Sequence, residues 1–206
     1  MSSSNPDEAW NAFYLEYGPA MLAWQSIESE LATLFSRITR IPPDMAIQIF
    51  YSATSFNGRI DIFSASLTAS KAHEDTIKFA HSIIGRARSY SAYRNKFAHD
   101  QPLLAQRGQP AECEILMVHG RAQFQSDDVK KRHIEGAITL AQIKEAAGAF
   151  RDFSEIIRDF WTYPMTRLAS LGRLRARLEA LPILPHPKDQ SPKPAKPKRQ
   201  RPPSRG

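Results

Sequence analysis

DTIKFAHSIIGRARSYSAYRNKFAHD, residues 75–100, is the stretch whose reading decides the fold. Ile77, Ala80, Ile84, Ala87, Ser91, Arg94 and Ala98 recur at steps of three and four, the spacing of one face of an α-helix. The stretch contains no proline. Gln101-Pro102 then disfavours continuation, because the residue before a proline is pushed out of helical backbone angles. A helix of this length sets the class of the whole chain as all-α.

The flanking segments carry the same period. After Gly18-Pro19, the positions Trp24, Ile27, Leu31, Leu34 and Ile38 form an apolar stripe, so a helix is expected from residue 19, with 1–18 as a separate N-terminal segment. Ile41-Pro42-Pro43 ends it, and Asp44 opens a short second helix through about Ser52. Asn57-Gly58 is a point where the chain can break before a third apolar segment holding Ile60, Ile62, Phe63 and Leu67. On the C-terminal side, Arg107-Gly108-Gln109-Pro110 is a loop signal. Residues 111–125 read as a short β-hairpin, with 112–118 and 121–125 flanking His119-Gly120, or as a disordered excursion. Thr139 with Gln142 has the form of a capping box. The helix behind it places Ile143, Ala147, Phe150, Phe153, Ile157, Phe160 and Trp161 on one face and stops near Tyr163-Pro164. In 165–181, Leu168, Leu171, Leu174, Leu178 and Leu181 alternate with Arg167, Arg173, Arg175 and Arg177. A terminal helix packing its leucines on the bundle, a dimer contact and an anionic-surface contact all fit that pattern. The expected architecture is an antiparallel helical bundle over 19–181 with a hairpin-like insert at about 111–125 and a disordered basic tail, 182–206.

A chain of 206 residues suits one domain with a proper core plus an appendage. The formal charge of +7 suggests nucleic acid, but residues 182–206 hold seven Lys or Arg against one Asp, leaving about +1 for the rest. Eight of the fifteen prolines fall in the same tail, which is expected to stay extended and to contact nucleic acid or an acidic or SH3-like protein. No apolar run reaches the roughly 18 residues that span a bilayer, and the N-terminus lacks a signal-peptide pattern; a cytoplasmic protein is expected. The single cysteine, Cys113, excludes an internal disulfide and a cysteine-based zinc site. His73-Glu74 and Lys130-Lys131-Arg132-His133 lack partners at metal-ligand spacing and read as surface or capping residues, so neither metal nor cofactor is expected. There is no Gly-rich phosphate loop and no Gly-x-Ser-x-Gly elbow.

Chemistry concentrates at the end of the deciding helix, Tyr93-Arg94-Asn95-Lys96-Phe97-Ala98-His99-Asp100. Arg supplies a permanent charge on a planar donor fork suited to phosphate. His has the side-chain pKa nearest neutrality, about 6.5, and a place near a helix C-terminus beside Asp100 favours the imidazolium that can act as an acid. The Arg-Asn pair with His one turn later resembles the Arg, four-residue gap, His motif of the HEPN family, small α-helical proteins many of which are metal-independent ribonucleases. The resemblance covers mainly residues 75–100, with a looser match to a helical bundle over about 19–163. It implies a homodimer whose cleft takes Arg and His from both protomers, with RNA as substrate and a toxin or defence role. Arg94 would neutralise the scissile phosphate, His99 would transfer a proton, and Asn95 would hydrogen-bond the His or a phosphate oxygen. The implied products are a 2′,3′-cyclic phosphate and a 5′-hydroxyl end. The Tyr that a nucleotidyltransferase-controlled branch carries two positions after the His is Gln101 here, which speaks against that regulation.

Helix geometry qualifies the site. At about 100° per residue, Asn95 and His99 lie about 40° apart but Arg94 and His99 about 140° apart. Either Arg94 reaches along the surface at the loosening helix end, or two copies of the helix share a cleft. His81, Arg88, Asn95 and His99 form a polar line that, with Lys96, can follow a phosphate backbone while Tyr90 or Tyr93 stacks a base. Three other readings stay open: Arg94 pairs with a carboxylate while Asn95 and His99 cap the helix; the domain is a non-catalytic HEPN-like binder of RNA, nucleotide or protein; or it is an adaptor acting through its tail.

Overall fold

The computed structural model describes residues 5–107, 112–119, 137–162 and 168–184. Its longest element is α1 (Pro6–Thr39), which starts on a full set of helix signals. Asn5 accepts a hydrogen bond from the Asp7 amide at 3.0 Å, Pro6 stands in the first turn, and Asp7 and Glu8 lie at the positive end of the helix dipole. The expected start at residue 19 is therefore corrected to Pro6, and most of the supposed N-terminal segment belongs to the helix. Pro19 removes one backbone hydrogen bond. It is exposed, however, and Ala9, Phe13, Ala20 and Trp24 bury on both sides of it, so packing outweighs the lost bond.

Three helices follow: α2 (Pro43–Ser52), α3 (Phe56–Ala69) and α4 (Glu74–His99). Asn57-Gly58 does not break the chain; it forms the first turn of α3, where Ser55 caps the Gly58 amide at 3.1 Å. A Cβ on Gly58 would meet Ala53 Cβ at 3.1 Å and Ser55 Oγ at 3.2 Å, so glycine lets this cap close. In α4, Ala80, Ile84, Ala87 and Ser91 are buried as expected, whereas Ile77 and Arg94 are half-buried and Ala98 is exposed. The burial centres instead on Phe79, Ile83, Tyr90, Tyr93 and Phe97, because the large aromatic side chains turn the helix toward the core.

The hairpin exists with a different register. Strand β1 (Asp100–Arg107) continues directly from α4 and pairs antiparallel with β2 (Glu112–His119), Leu103 opposite Leu116 and Leu104 opposite Ile115. The loop signal at 107–110 thus falls between the strands, where a separator had been expected. Residues 121–125, expected as the second strand, lie outside the described residues. Pro102 is tolerated because its partner Met117 turns both its N–H and its C=O to Ile138, at 3.0 and 3.1 Å, and asks Pro102 for no rung. Cys113, Ile115 and Met117 alternate into the main core.

Helix α5 (Leu140–Thr162) opens with the expected capping box: Gln142 Oε1 accepts from the Thr139 amide at 2.9 Å and Thr139 Oγ1 from the Gln142 amide at 3.4 Å. Helix α6 (Leu168–Ala180) lays Leu171, Leu174 and Leu178 on the bundle and leaves Arg173, Arg175 and Arg177 exposed. Past it, Leu181 and Leu184 are also buried, and the Pro182 carbonyl accepts from Tyr90 at 2.8 Å and from Arg86 at 3.3 Å. The folded chain therefore extends through Leu184, beyond the expected boundary at 182. The tail 185–206 lies outside the described residues.

The bundle mixes helix directions, which corrects the expectation of a purely antiparallel arrangement. Lys144 meets Glu16 and Arg158 meets Glu30, so α1 and α5 run parallel. Phe79 packs on Phe160 and Phe97 on Phe150, so α4 runs antiparallel to α5. Trp24 on Phe56 and Phe35 on Phe63 set α3 parallel to α1. At the centre, Phe150 touches Trp24, Tyr90 and Phe97, one side chain joining three helices. Phe150→Ala is expected to cost about 3–5 kcal/mol in urea unfolding; a loss under about 1 kcal/mol would deny Phe150 that central role.

Candidate functional site

Two pieces of backbone are fixed before the site exists. The end of α4 is held by Tyr17, whose hydroxyl donates to the Phe97 carbonyl at 3.0 Å, and by the Phe97 ring against Tyr93 and Phe150. The Tyr17 bond uses one of the carbonyls that a helix end leaves without a partner. Facing it, the α2–α3 connection is held by Arg59. Its Nε donates to the Ala53 carbonyl at 3.1 Å, its Nη1 pairs with Glu28 at 2.9 Å, and its guanidinium lies 4.6 Å from the Tyr51 ring centroid. Glu28 also accepts from Trp24 Nε1 at 2.8 Å. Burial and the Glu28 charge raise the Tyr51 phenol, and Arg59 acts the other way.

Between these pieces lies a pocket of about 350 Å³ that Arg94, Asn95 and His99 all line, with Ser91 from the same helix and Glu28, Thr54, Ser55 and Asn57 opposite. The 140° between Arg94 and His99 is bridged because Ser91 and Asn95 lie between them in azimuth and the long Arg side chain reaches back. Arg94 Nη1 donates weakly to Asn95 Oδ1 at 3.4 Å. Its Nε is buried and has no hydrogen-bond partner among the described residues, nor does Arg94 form an ion pair with any of them. A buried guanidinium N–H without an acceptor is costly, about 1–3 kcal/mol or more. Two guanidinium groups against the single Glu28 carboxylate, itself committed to Arg59, leave an excess of one guanidinium charge in the pocket. That charge suits one phosphodiester. Among the described residues no carboxylate pairs with Arg94, and the backbone cap of α4 comes from the Asp100 amide on the Lys96 carbonyl.

The other expected binding residues divide. His81 and Arg88 are exposed on the same flank of α4, and Arg88 is tied to Asp61 of α3. Lys96 is half-buried and does not line the pocket; burial pushes its ammonium below its ordinary range, with Asp100 opposing. Tyr90 and Tyr93 are core residues, 0% and 2% exposed, so the expected base stacking is corrected: neither ring offers a free face. Glu28, Thr54, Asn57 and Arg59 were not anticipated, since Asn57-Gly58 resembles a mere chain break and Glu28 and Arg59 are far apart in sequence. Among the described residues, no three His, Cys, Asp or Glu side chains are grouped to hold a metal ion, and no helix is long and apolar enough to cross a membrane. Comparison of the chain with protein-family models, curated proteins and solved structures gives no match.

Two outcomes follow. Glu28→Gln weakens the acceptor of both Arg59 and Trp24, whose shared ion pair is mostly shielded (side chains 17% and 16% exposed), and is expected to cost about 1–3 kcal/mol in urea unfolding; a change under about 0.5 kcal/mol would show the wall does not depend on it. Burial, partly offset by Arg86, pushes the Tyr90 phenol up to about 12, and burial raises Tyr93 further. A raised phenol favours the folded state below pH 10, and that stability is lost as pH rises from about 10 toward 12. Absorbance titration should show Tyr90 and Tyr93 ionising last, after the less strongly raised Tyr51; all six ionising together near 10 would place these rings in solvent.

Proposed function

We propose that the chain is a HEPN-type, metal-independent endoribonuclease whose pocket at Arg94, Asn95 and His99 holds one phosphodiester of single-stranded RNA. The observation that carries this reading is the buried, unpartnered Arg94 Nε in a pocket shared with His99. A phosphate oxygen in the pocket meets the Arg94 guanidinium in a charge-assisted bond, and a turn of the side chain toward it brings Nε out to an acceptor it lacks in the unliganded arrangement. The reaction forms the O2′–P bond and breaks the P–O5′ bond; a water molecule takes the proton of the 2′-hydroxyl, and the departing 5′ oxygen takes one from the His99 imidazolium. Arg94 neutralises charge on the non-bridging oxygens, and Asn95 holds the Arg94 guanidinium in register.

Pairing of two copies gives the cleft a second Arg94 and His99, and the apolar side chains Tyr14, Leu15 and Leu22 left exposed on α1 support a homodimer. An RNA substrate is consistent with a cytoplasmic place of action in a toxin or defence system, and a basic tail would add non-specific affinity for the polyanion.

The test incubates wild type, Arg94→Gln and His99→Ala with end-labelled single-stranded RNA in excess EDTA. Cleavage to cyclic-phosphate ends is expected in wild type, falling about 10²–10⁴-fold in His99→Ala and about 10²–10³-fold in Arg94→Gln with both variants folded. Binding without cleavage by wild type, or equal cleavage by all three, would replace this reading with a non-catalytic HEPN-like binder.

A further inference from the structure

Helix α3, fourteen residues and about 21 Å long, has the Arg94 pocket at its N-terminal end and a second pocket at its C-terminal end. This second pocket, about 560 Å³, is formed where α1 and α3 end and α4 begins. Arg37, Arg40, Lys71 and His73 line it, and no carboxylate does. Its floor includes the buried Ile38 and Thr76.

We propose that this pocket binds a small anion carrying two or more phosphate groups. Several surface cations are matched with acids, as in Arg88 with Asp61, Arg158 with Glu30 and Arg177 with Asp159, and the exposed cations that are not, Arg151, Arg173 and Arg175, do not converge on one pocket as those here do. Arg37, Arg40 and Lys71 form no ion pair with a described residue; the Arg37 guanidinium lies 5.6 Å from the Trp161 ring centroid. The bland account is that cations here answer the negative ends of α1 and α3. Those two ends contribute about half a negative charge each and the start of α4 about half a positive one, so three full cations against these termini and the Asp75 carboxylate, 3.6 Å from His73 Nδ1, leave an excess of roughly +1.5. That excess exceeds what one phosphodiester neutralises. Ser70 accepts from the Ala72 amide at 3.1 Å, which leaves its hydroxyl proton available to an anion. The volume lies within the roughly 300–1,000 Å³ of small-molecule sites. Adjacent phosphates that share a bridging oxygen concentrate charge in one pocket, whereas those of a nucleic acid strand are separated by sugars; the clustered cations favour the former.

Isothermal titration calorimetry of the full chain with inorganic pyrophosphate tests this without any RNA, so its outcome is independent of the ribonuclease reading. The variant is Arg40→Asn with Lys71→Gln: both positions are exposed, and Asn tolerates the left-handed backbone at residue 40 (φ 59°). Wild type is expected to bind one pyrophosphate, with affinity roughly tenfold or more weaker in the double variant and unchanged in Arg173→Gln. Absence of binding at millimolar pyrophosphate, equal loss in Arg173→Gln, or loss in Arg94→Gln in place of the double variant overturns the proposal. A parallel titration with oligouridylate separates the sources. If oligouridylate binding falls in the double variant and pyrophosphate binding does not, the pocket follows a nucleic acid strand and the proposal is overturned.

Discussion

The packing of Phe150 between Trp24, Tyr90 and Phe97 is the constraint on which the rest of the arrangement depends. These contacts join α1, α4 and α5 at the level of the Arg94 pocket. Aromatic pairs contribute roughly 0.5–1.5 kcal/mol each beyond the area they bury, and their geometry also orients α4. With Phe97 and Tyr93 turned inward, Ser91 and Asn95 must turn to the α3 side, so the chemical face of α4 is set by its hydrophobic face. Tyr17 then fixes the axial position of the helix end through the Phe97 carbonyl. The long N-terminal extension of α1 matters to the site for this reason, since without it Tyr17 would have no rigid base.

The opposite wall is built by electrostatics. Glu28 binds Arg59 and Trp24 together, and Arg59 reaches the Ala53 carbonyl, so one carboxylate anchors the α2–α3 connection to α1. It also removes one of two guanidinium charges from competition for an anion. Across the pocket, Arg94 on α4 has no ion pair among the described residues, and its buried Nε–H has no acceptor among them. Unsatisfied buried donors are rare in stable folds and concentrate where a ligand completes the bonding. Preorganised positive charge in a partly enclosed pocket is also the arrangement that stabilises developing negative charge at least reorganisation cost.

Local signals were legible in the sequence and non-local ones were not. Thr139 and Gln142 cap each other across three residues, and the pattern alone placed the start of α5. The run from Arg94 to His99 identified the polar end of α4 because both residues share one helix. By contrast, the Asn5-Pro6-Asp7 start of α1 was masked by Gly18-Pro19, a stop signal that tertiary packing overrides. The hairpin was mispaired because β1 follows α4 with no spacer, and Arg107-Gly108-Gln109-Pro110, which lies between the strands, resembles a separator in front of them. The stripe on α4 was legible through Ala80, Ile84, Ala87 and Ser91 and failed at its end, since Arg94 and Ala98 fit the period as well as Tyr93 and Phe97 do. Glu28 and Arg59 meet only through the folded backbone. The parallel pairing of α1 with α5 likewise depends on the excursion after α4, which has no periodic signature.

The most direct measurement of the central claim is the Arg94 Nε–H resonance in ¹H–¹⁵N NMR spectra during titration with a non-cleavable 2′-O-methyl dinucleotide. If that N–H awaits a phosphate oxygen, its signal shifts strongly and saturably on binding, His99 ring signals move with it, and both responses vanish in Asn95→Ala/His99→Ala only to the extent that binding does. A dinucleotide that binds while Arg94 Nε–H stays unshifted, or that perturbs residues remote from α4 and the α2–α3 connection, would contradict the assignment of this pocket as the phosphodiester site.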